Sequence, residues 1–174
     1  MTVEESWVDA MRATALAKLL LTERGDIEII DEPPGRGYDL LVRVHTAESA
    51  VIPEFAVEVK GTRGRITTRK LRDWLTGMRA PKSAKEWPLC LFVFQVESRK
   101  GMYCWLQEPV VVKDTAMIRS VWEPRSLSGN HDRSNLLLPP LSPLDERALD
   151  AIVSRVIAWT QTFQRRLDHQ VRAS

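Results

Sequence analysis

Three side chains within the first 60 residues are suited to one reaction. Glu58 and Lys60 stand two apart in the stretch FAVEVKGT, and Asp39 lies upstream in GYDLLVRV. A hard cation such as Mg²⁺ takes oxygen ligands, commonly one or two protein carboxylates, and fills its shell with water and substrate phosphate. Asp39 and Glu58 supply the two carboxylates, and the backbone carbonyl of Val59 can supply another oxygen. Such a cation lowers the pKa of a bound water and offsets negative charge at a scissile phosphate, while Lys60 can orient the water or stabilise the developing charge. The set reads as a site for Mg²⁺ or Mn²⁺ that hydrolyses phosphodiesters. None of the three histidines is placed to help.

These groups meet only if strands bring them together. From Glu54 to Thr62 the apolar Phe55, Val57 and Val59 alternate with Glu54, Ala56, Glu58 and Lys60, which reads as a strand with one apolar and one charged face. On such a strand Glu58 and Lys60 are side by side, about 6.6 Å apart along the axis. Gly61 is expected to end it. A second strand, Tyr38 to Val44, carries Asp39 directly after the turn-like PPGRG, where Gly35 and Gly37 are free to take positive φ. If the two strands are antiparallel neighbours joined through HTAESAVIP, Asp39 falls beside Glu58 at a sheet edge.

The composition sets the frame. A chain of 174 residues is one domain and buries roughly two-thirds of its unfolded surface without crosslinks. Hydrophobic content of 44% and charged content of 28% are ordinary for a globular protein, and a net charge of +2 by itself says little about partners. Cys90 and Cys104 lack metal-ligand spacing and read as reduced core thiols. No apolar run approaches the ~20 residues of a membrane span, and the N-terminus carries acids where a signal peptide has lysines. The expectation is a cytoplasmic protein with no membrane partner.

Along the chain, Thr2 and Glu5 have capping-box spacing for a first helix, whose stripe is Val8, Met11, Ala15 and Leu19, widened by Leu16 and Leu20. Glu5 and Asp9 lie one turn apart on its flank. The helix stops near Gly25, and residues 27–30 form a short strand. Between Gly61 and Lys85 there are eight basic residues (Arg63, Arg65, Arg69, Lys70, Arg72, Arg79, Lys82, Lys85) against the single acid Asp73. Within this span Leu71, Trp74, Leu75 and Met78 make a helical stripe capped by Thr67 or Thr68, with Arg69, Arg72 and Arg79 together on another face. A one-signed cationic face suits the phosphates of a nucleic acid. Residues 88–96 read as a strand buried on both faces, 102–107 as a strand pairing back on it, and 110–112 and 117–122 as extensions of the sheet. Residues 123–141 are loop-like, and His131 and Asp132 within them read as solvated. Ser142 and Pro143 look like an N-cap and first helical residue. The long last helix has the stripe Leu149, Ile152, Val153, Val156, Trp159, Phe163 and Leu167, with Arg165, Arg166 and Arg172 near its end. It is either core or an oligomer surface, the latter implying a homodimer. The chain contains no P-loop, GxGxxG, HExxH or GxSxG.

Helix with acid, strand, GYDLLVRV, loop, FAVEVKGT, basic helix, apolar strand: this order resembles the core of the PD-(D/E)XK nuclease superfamily, the restriction-endonuclease-like fold. Asp39 matches its first motif and Glu58-Val59-Lys60 its second. A subgroup of bacterial domains of unknown function is similar too, with a D-G-x-D-L-like strand before V-(Q/E)-V-K and a later Tyr-Trp segment, here PLCLFVFQV and YCW. The resemblance covers about residues 4–107. It departs from the family where Gly37-Tyr38, rather than proline, precedes Asp39, and where Glu4, Glu5 and Asp9 all compete for the acid of the first helix. The resemblance implies an α/β core with a mixed four- or five-stranded sheet flanked by helices; the single domain then has its core at about residues 4–122, a loop at 123–141 and the C-terminal helix that the spacing predicts at about 143–170. It also implies a metal-dependent endodeoxyribonuclease, a hydrolase of bacterial defence or DNA processing. Asp39, Glu58, Lys60 and Glu5 would be its catalytic set, with Asp39, Glu58 and Val59 on the metal. Arg63, Arg65, Arg69, Arg72 and Arg79 would face the DNA. The alternative is a module of the same fold with a weak or inactive site, binding nucleic acid or a partner protein.

Overall fold

The strand carrying Glu58 forms the middle of the sheet. The computed structural model describes residues 3–31, 37–47, 51–78, 87–121 and 138–173, the side chains of 3–6, 170, 172 and 173 excepted. The elements run α1 (Val3–Thr22), β1 (Ile27–Asp31), β2 (Leu40–Val44), β3 (Glu54–Thr62), α2 (Thr68–Gly77), β4 (Leu89–Gln95), β5 (Lys100–Val112), β6 (Thr115–Ser120), β7 (Ser142–Leu144) and α3 (Glu146–Ala173). Seven strands form one mixed sheet in the order β1-β2-β3-β4-β5-β6, with β7 on β5. Among these pairs only β3 and β4 are parallel, and α2 supplies the crossover that a parallel pair requires.

The sheet exceeds the four or five strands expected because β6 and β7 both pair with β5, which is one long strand through Pro109 rather than two short ones. Its first half pairs with β4 and β7, and its second half with β6. Ser142 and Pro143 do not start the last helix. They belong to β7, where proline is tolerated because the strand is short and at an edge. Asp145 caps α3 instead, its Oδ1 accepting the N–H of Ala148 at 2.8 Å. Thr2, His131 and Asp132 lie outside the described residues.

Helices cover both faces of the sheet. α1 and α3 pack on one, over Val42, Val57, Val59, Phe92 and Phe94, and α2 packs on the other, over Ala56, Leu91, Val93 and Leu106. The buried side of α1 is not the stripe of Val8, Met11, Ala15 and Leu19. Asp9, Ala13, Ala17 and Leu21 are buried, whereas Met11 and Leu19 are more than half exposed. The cause is close approach: Gly61 carries β3 past α1, and a Cβ at that position would stand 2.3 Å from the carbonyl oxygen of Asp9. Small residues win that seam over larger apolar ones. Consequently the glycine does not end β3, which continues to Thr62.

Cys90 belongs to the α1/α3 side of the core and Cys104 to the α2 side, both free and buried, so the sheet itself separates them. Among the described residues no helix is long and apolar enough to cross a membrane.

Candidate functional site

The β2–β3 ladder begins with Leu40 opposite Val57, and Asp39 stands just before it, close enough to Glu58 for their charges to interact. Leu40, Val42, Val57 and Val59 point to the α1/α3 side, so by parity Glu58 and Lys60 point to the α2 side, while Asp39 directs its carboxylate at the backbone of β3. The structure thus brings the three residues together. The location differs from a sheet edge, however. β3 is flanked on both sides, and the set occupies the notch where β2 begins and β3 runs on past it.

Asp39 forms that notch. Gly37, at φ 90°, turns the chain into β2. The N–H of Asp39 donates to the Val57 carbonyl at 2.9 Å, and the N–H of Val59 donates to Asp39 Oδ2 at 2.7 Å. A carboxylate therefore takes the place of the next backbone partner. In an extended strand one residue's N–H and C=O leave on the same side, so the carbonyl of Val59 also leaves toward Asp39.

Glu58 is only 8% exposed, so the charged face of β3 is not the solvated one that alternation suggested. Lys60 Nζ donates to Glu58 Oε1. Burial raises the pKa of Glu58 above its usual 4.5; Lys60 opposes the shift and the nearby negative charge of Asp39 adds to it. A buried carboxylate whose ionisation a second carboxylate opposes is a place where a cation is welcome. The donor set fits a hard divalent ion that is content with two carboxylates, a carbonyl and water. Among the described residues no group of three or more His, Cys, Asp and Glu that could hold a metal ion is found.

Of the acids in α1, Asp9 is buried and accepts from Arg63 Nε at 2.9 Å, beside Gly61 on the opposite side of the sheet. The side chains of Glu4 and Glu5 lie outside the described residues. Arg63 is therefore engaged by an acid rather than presented to a polyanion.

Thr67 caps α2, its hydroxyl accepting the N–H of Lys70 at 3.3 Å, and Leu71 and Leu75 are buried. The helical spacing separates the basic residues of α2 into different flanks. Arg72 falls one turn after Thr68, which lines a hollow with Leu138 and Leu141, the side away from β2. Its Nε is buried with no hydrogen-bond partner among the described residues. Arg65 and Arg69 are exposed, and Arg79 lies outside the described residues. The basic side chain that reaches β3 is Lys70, whose Nζ donates to Thr62 Oγ1 at 2.6 Å. The sequence carried a signal for this, since Thr62 shares the parity of Glu58 and Lys60 and Lys70 precedes the buried Leu71.

A larger hollow of about 590 Å³ lies elsewhere, near Glu54 at the start of β3, lined by Trp87, Met117, Trp159 and Phe163 among others and by none of the three residues. Comparison of the chain with models of known protein families, with curated proteins and with solved structures returned no match.

Proposed function

We propose that this chain is a divalent-metal-dependent nuclease that hydrolyses DNA phosphodiester bonds, built on the PD-(D/E)XK plan. The observation that carries the reading is the gathering of Asp39, Glu58 and Lys60: Asp39 accepts from the Val59 N–H, its charge bears on Glu58, and Lys60 pairs with Glu58. The order helix, three strands, helix, strand over α1 to β4 supports it, being the order on which the resemblance rests. Asp39, Glu58 and the Val59 carbonyl would hold Mg²⁺ or Mn²⁺, and that ion would supply an activated water and charge stabilisation at the phosphate. The chain's own residues do the rest. Asp39 fixes the geometry by its bond to the Val59 N–H, and Lys60, partly exposed, can turn an N–H toward the attacking water or a phosphate oxygen. Attack on phosphorus breaks the ester bond and leaves a phosphate monoester and a hydroxyl.

Purified protein is expected to nick or cut DNA with Mg²⁺ or Mn²⁺ and to be inert in EDTA. Glu58→Ala and Asp39→Asn should each lower the rate by roughly 10²-fold or more, as loss of one charge-stabilising group does. The asparagine keeps an acceptor for Val59, so its defect reports chemistry rather than folding. Lys60→Ala should stop turnover while sparing metal binding. A second reading rests on the partners these groups already have, Lys60 for Glu58 and the Val59 N–H for Asp39: a nucleic-acid-binding module without chemistry. DNA binding by a wild type that cuts nothing across substrates and metals would decide for it. Equal cutting by Glu58→Ala protein would place the site elsewhere.

A further inference from the structure

Lys60 is not the only ammonium on this face of the sheet. Thr62 lies two residues further along β3, about 6.6 Å on, with the same parity, and is buried at 6% exposure. Its hydroxyl accepts from Lys70 Nζ at 2.6 Å, which bends the side chain of α2 over the open end of β3. The two lysines differ in electrostatic state. Lys60 is neutralised by Glu58, whereas Lys70 has no carboxylate partner among the described residues. A lysine carries three donors, and the hydroxyl takes one. The other two are directed by a short charge-assisted bond and lack an anion. At this end of the face, Asp39 and Glu58 cancel against Lys60 and Lys70 before any cation arrives. With a divalent ion between the carboxylates, these groups are left doubly positive.

We infer that Lys70 is a phosphate-binding residue of this site, holding the backbone phosphate next to the one cleaved, with Thr62 fixing its direction. The inference rests on the nuclease reading and adds the means by which the strand is aligned: Lys60 serves the scissile phosphate, and Lys70 the neighbour further along β3. It also moves the main contact of α2 from the arginine flank to the lysine flank. Helical spacing puts Arg72 on the flank of α2 opposite Lys70, and among the described residues Lys70 is the cation of α2 that bonds β3.

The test is cleavage kinetics in Mg²⁺ over a series of salt concentrations, with wild type, Lys70→Ala and Lys70→Arg. Lys70→Ala should raise KM about tenfold with kcat within a few-fold of wild type, because a contact to a non-reacting phosphate is made equally in ground and transition states. The slope of log KM against log salt should fall by about 0.9 on duplex DNA, the loss of one counterion-releasing contact. Lys70→Arg should restore most of both quantities, since the guanidinium also bonds phosphate. A lysine that merely ties α2 to β3 would move neither the slope nor its rescue. An unchanged KM and slope in Lys70→Ala, with an active wild type, would overturn this inference and leave the nuclease reading standing. A wild type inert with every metal would overturn both.

Discussion

Glu58 carries the largest electrostatic tension in the site, and that tension is measurable without any substrate. Its folded-state pKa lies above the usual 4.5, mainly through burial. A carboxyl that binds its proton more tightly folded than unfolded favours folding while protonated. Its contribution is therefore lost as pH rises from the unfolded value through the folded one, and stays lost above. Glu58→Gln removes the ionisation. The variant's Tm minus the wild-type Tm is expected to be smallest near pH 4 and to grow as pH rises, in thermal melts at fixed ionic strength. Saturating Mg²⁺ should narrow the gap at neutral pH by stabilising the ionised wild type alone. A gap independent of pH would show that the burial of Glu58 is without electrostatic cost.

Elements obey tighter limits than their sequence patterns suggest, and the seam between α1 and β3 is the clearest instance. A Cβ at Gly61 would meet the Asp9 carbonyl oxygen at 2.3 Å and Ala13 Cβ at 2.9 Å, both on a rigid helix. Gly61→Ala is expected to destabilise by about 1–3 kcal/mol, as overpacking does. Chemical denaturation should read this as a lower midpoint at unchanged m-value. A stability within a few tenths of wild type would mean that α1 shifts freely. The same seam explains what could be read in advance. The strand 54–62, a strand ending at Val44, and the α2 stripe with a threonine cap follow from alternation and spacing, because their apolar positions repeat at the period of each element. The buried side of α1 does not, because apolar residues surround that helix and only the glycine across from it selects Asp9, Ala13 and Ala17. Equally hidden was the strand at Ser142, where a serine-proline pair suits a helix start until a neighbouring strand claims its backbone. At the candidate site, Glu58 and Lys60 are legible from parity and Asp39 from its place just before β2. Lys70 is not, because the sequence alone sets its charge among the arginines.

For the molecule as a whole, the sheet divides the interior into two layers with one cysteine in each. Cys90 has a pKa raised well above its usual 9.0 and Cys104 one raised to about 12, both chiefly through burial. Neither thiol offers thiolate near neutral pH, so labelling by a thiol reagent has to wait for opening. With Cys104→Ser and Cys90→Ser proteins, labelling rates are expected to report α2 and the α1/α3 layer separately. α2 should open at lower cost, because it is a short helix with two buried residues, whereas α1 and α3 cover the other face together. Faster labelling of Cys90 than of Cys104 would reverse that order.

The hydrogen bond between Asp39 and the Val59 N–H has a consequence for inheritance. Under the proposed function the carboxylate that would bind metal also fastens the end of a ladder, so the position would answer to two selections. A lineage that lost the chemistry would keep the need for an acceptor there. Its tolerated drift would be Asp39→Asn or a serine in that place, while Asp39→Ala would leave a strand amide without its partner. Glu58 has no such second duty. In a decayed copy of this site, the glutamate should be the first of the two to disappear.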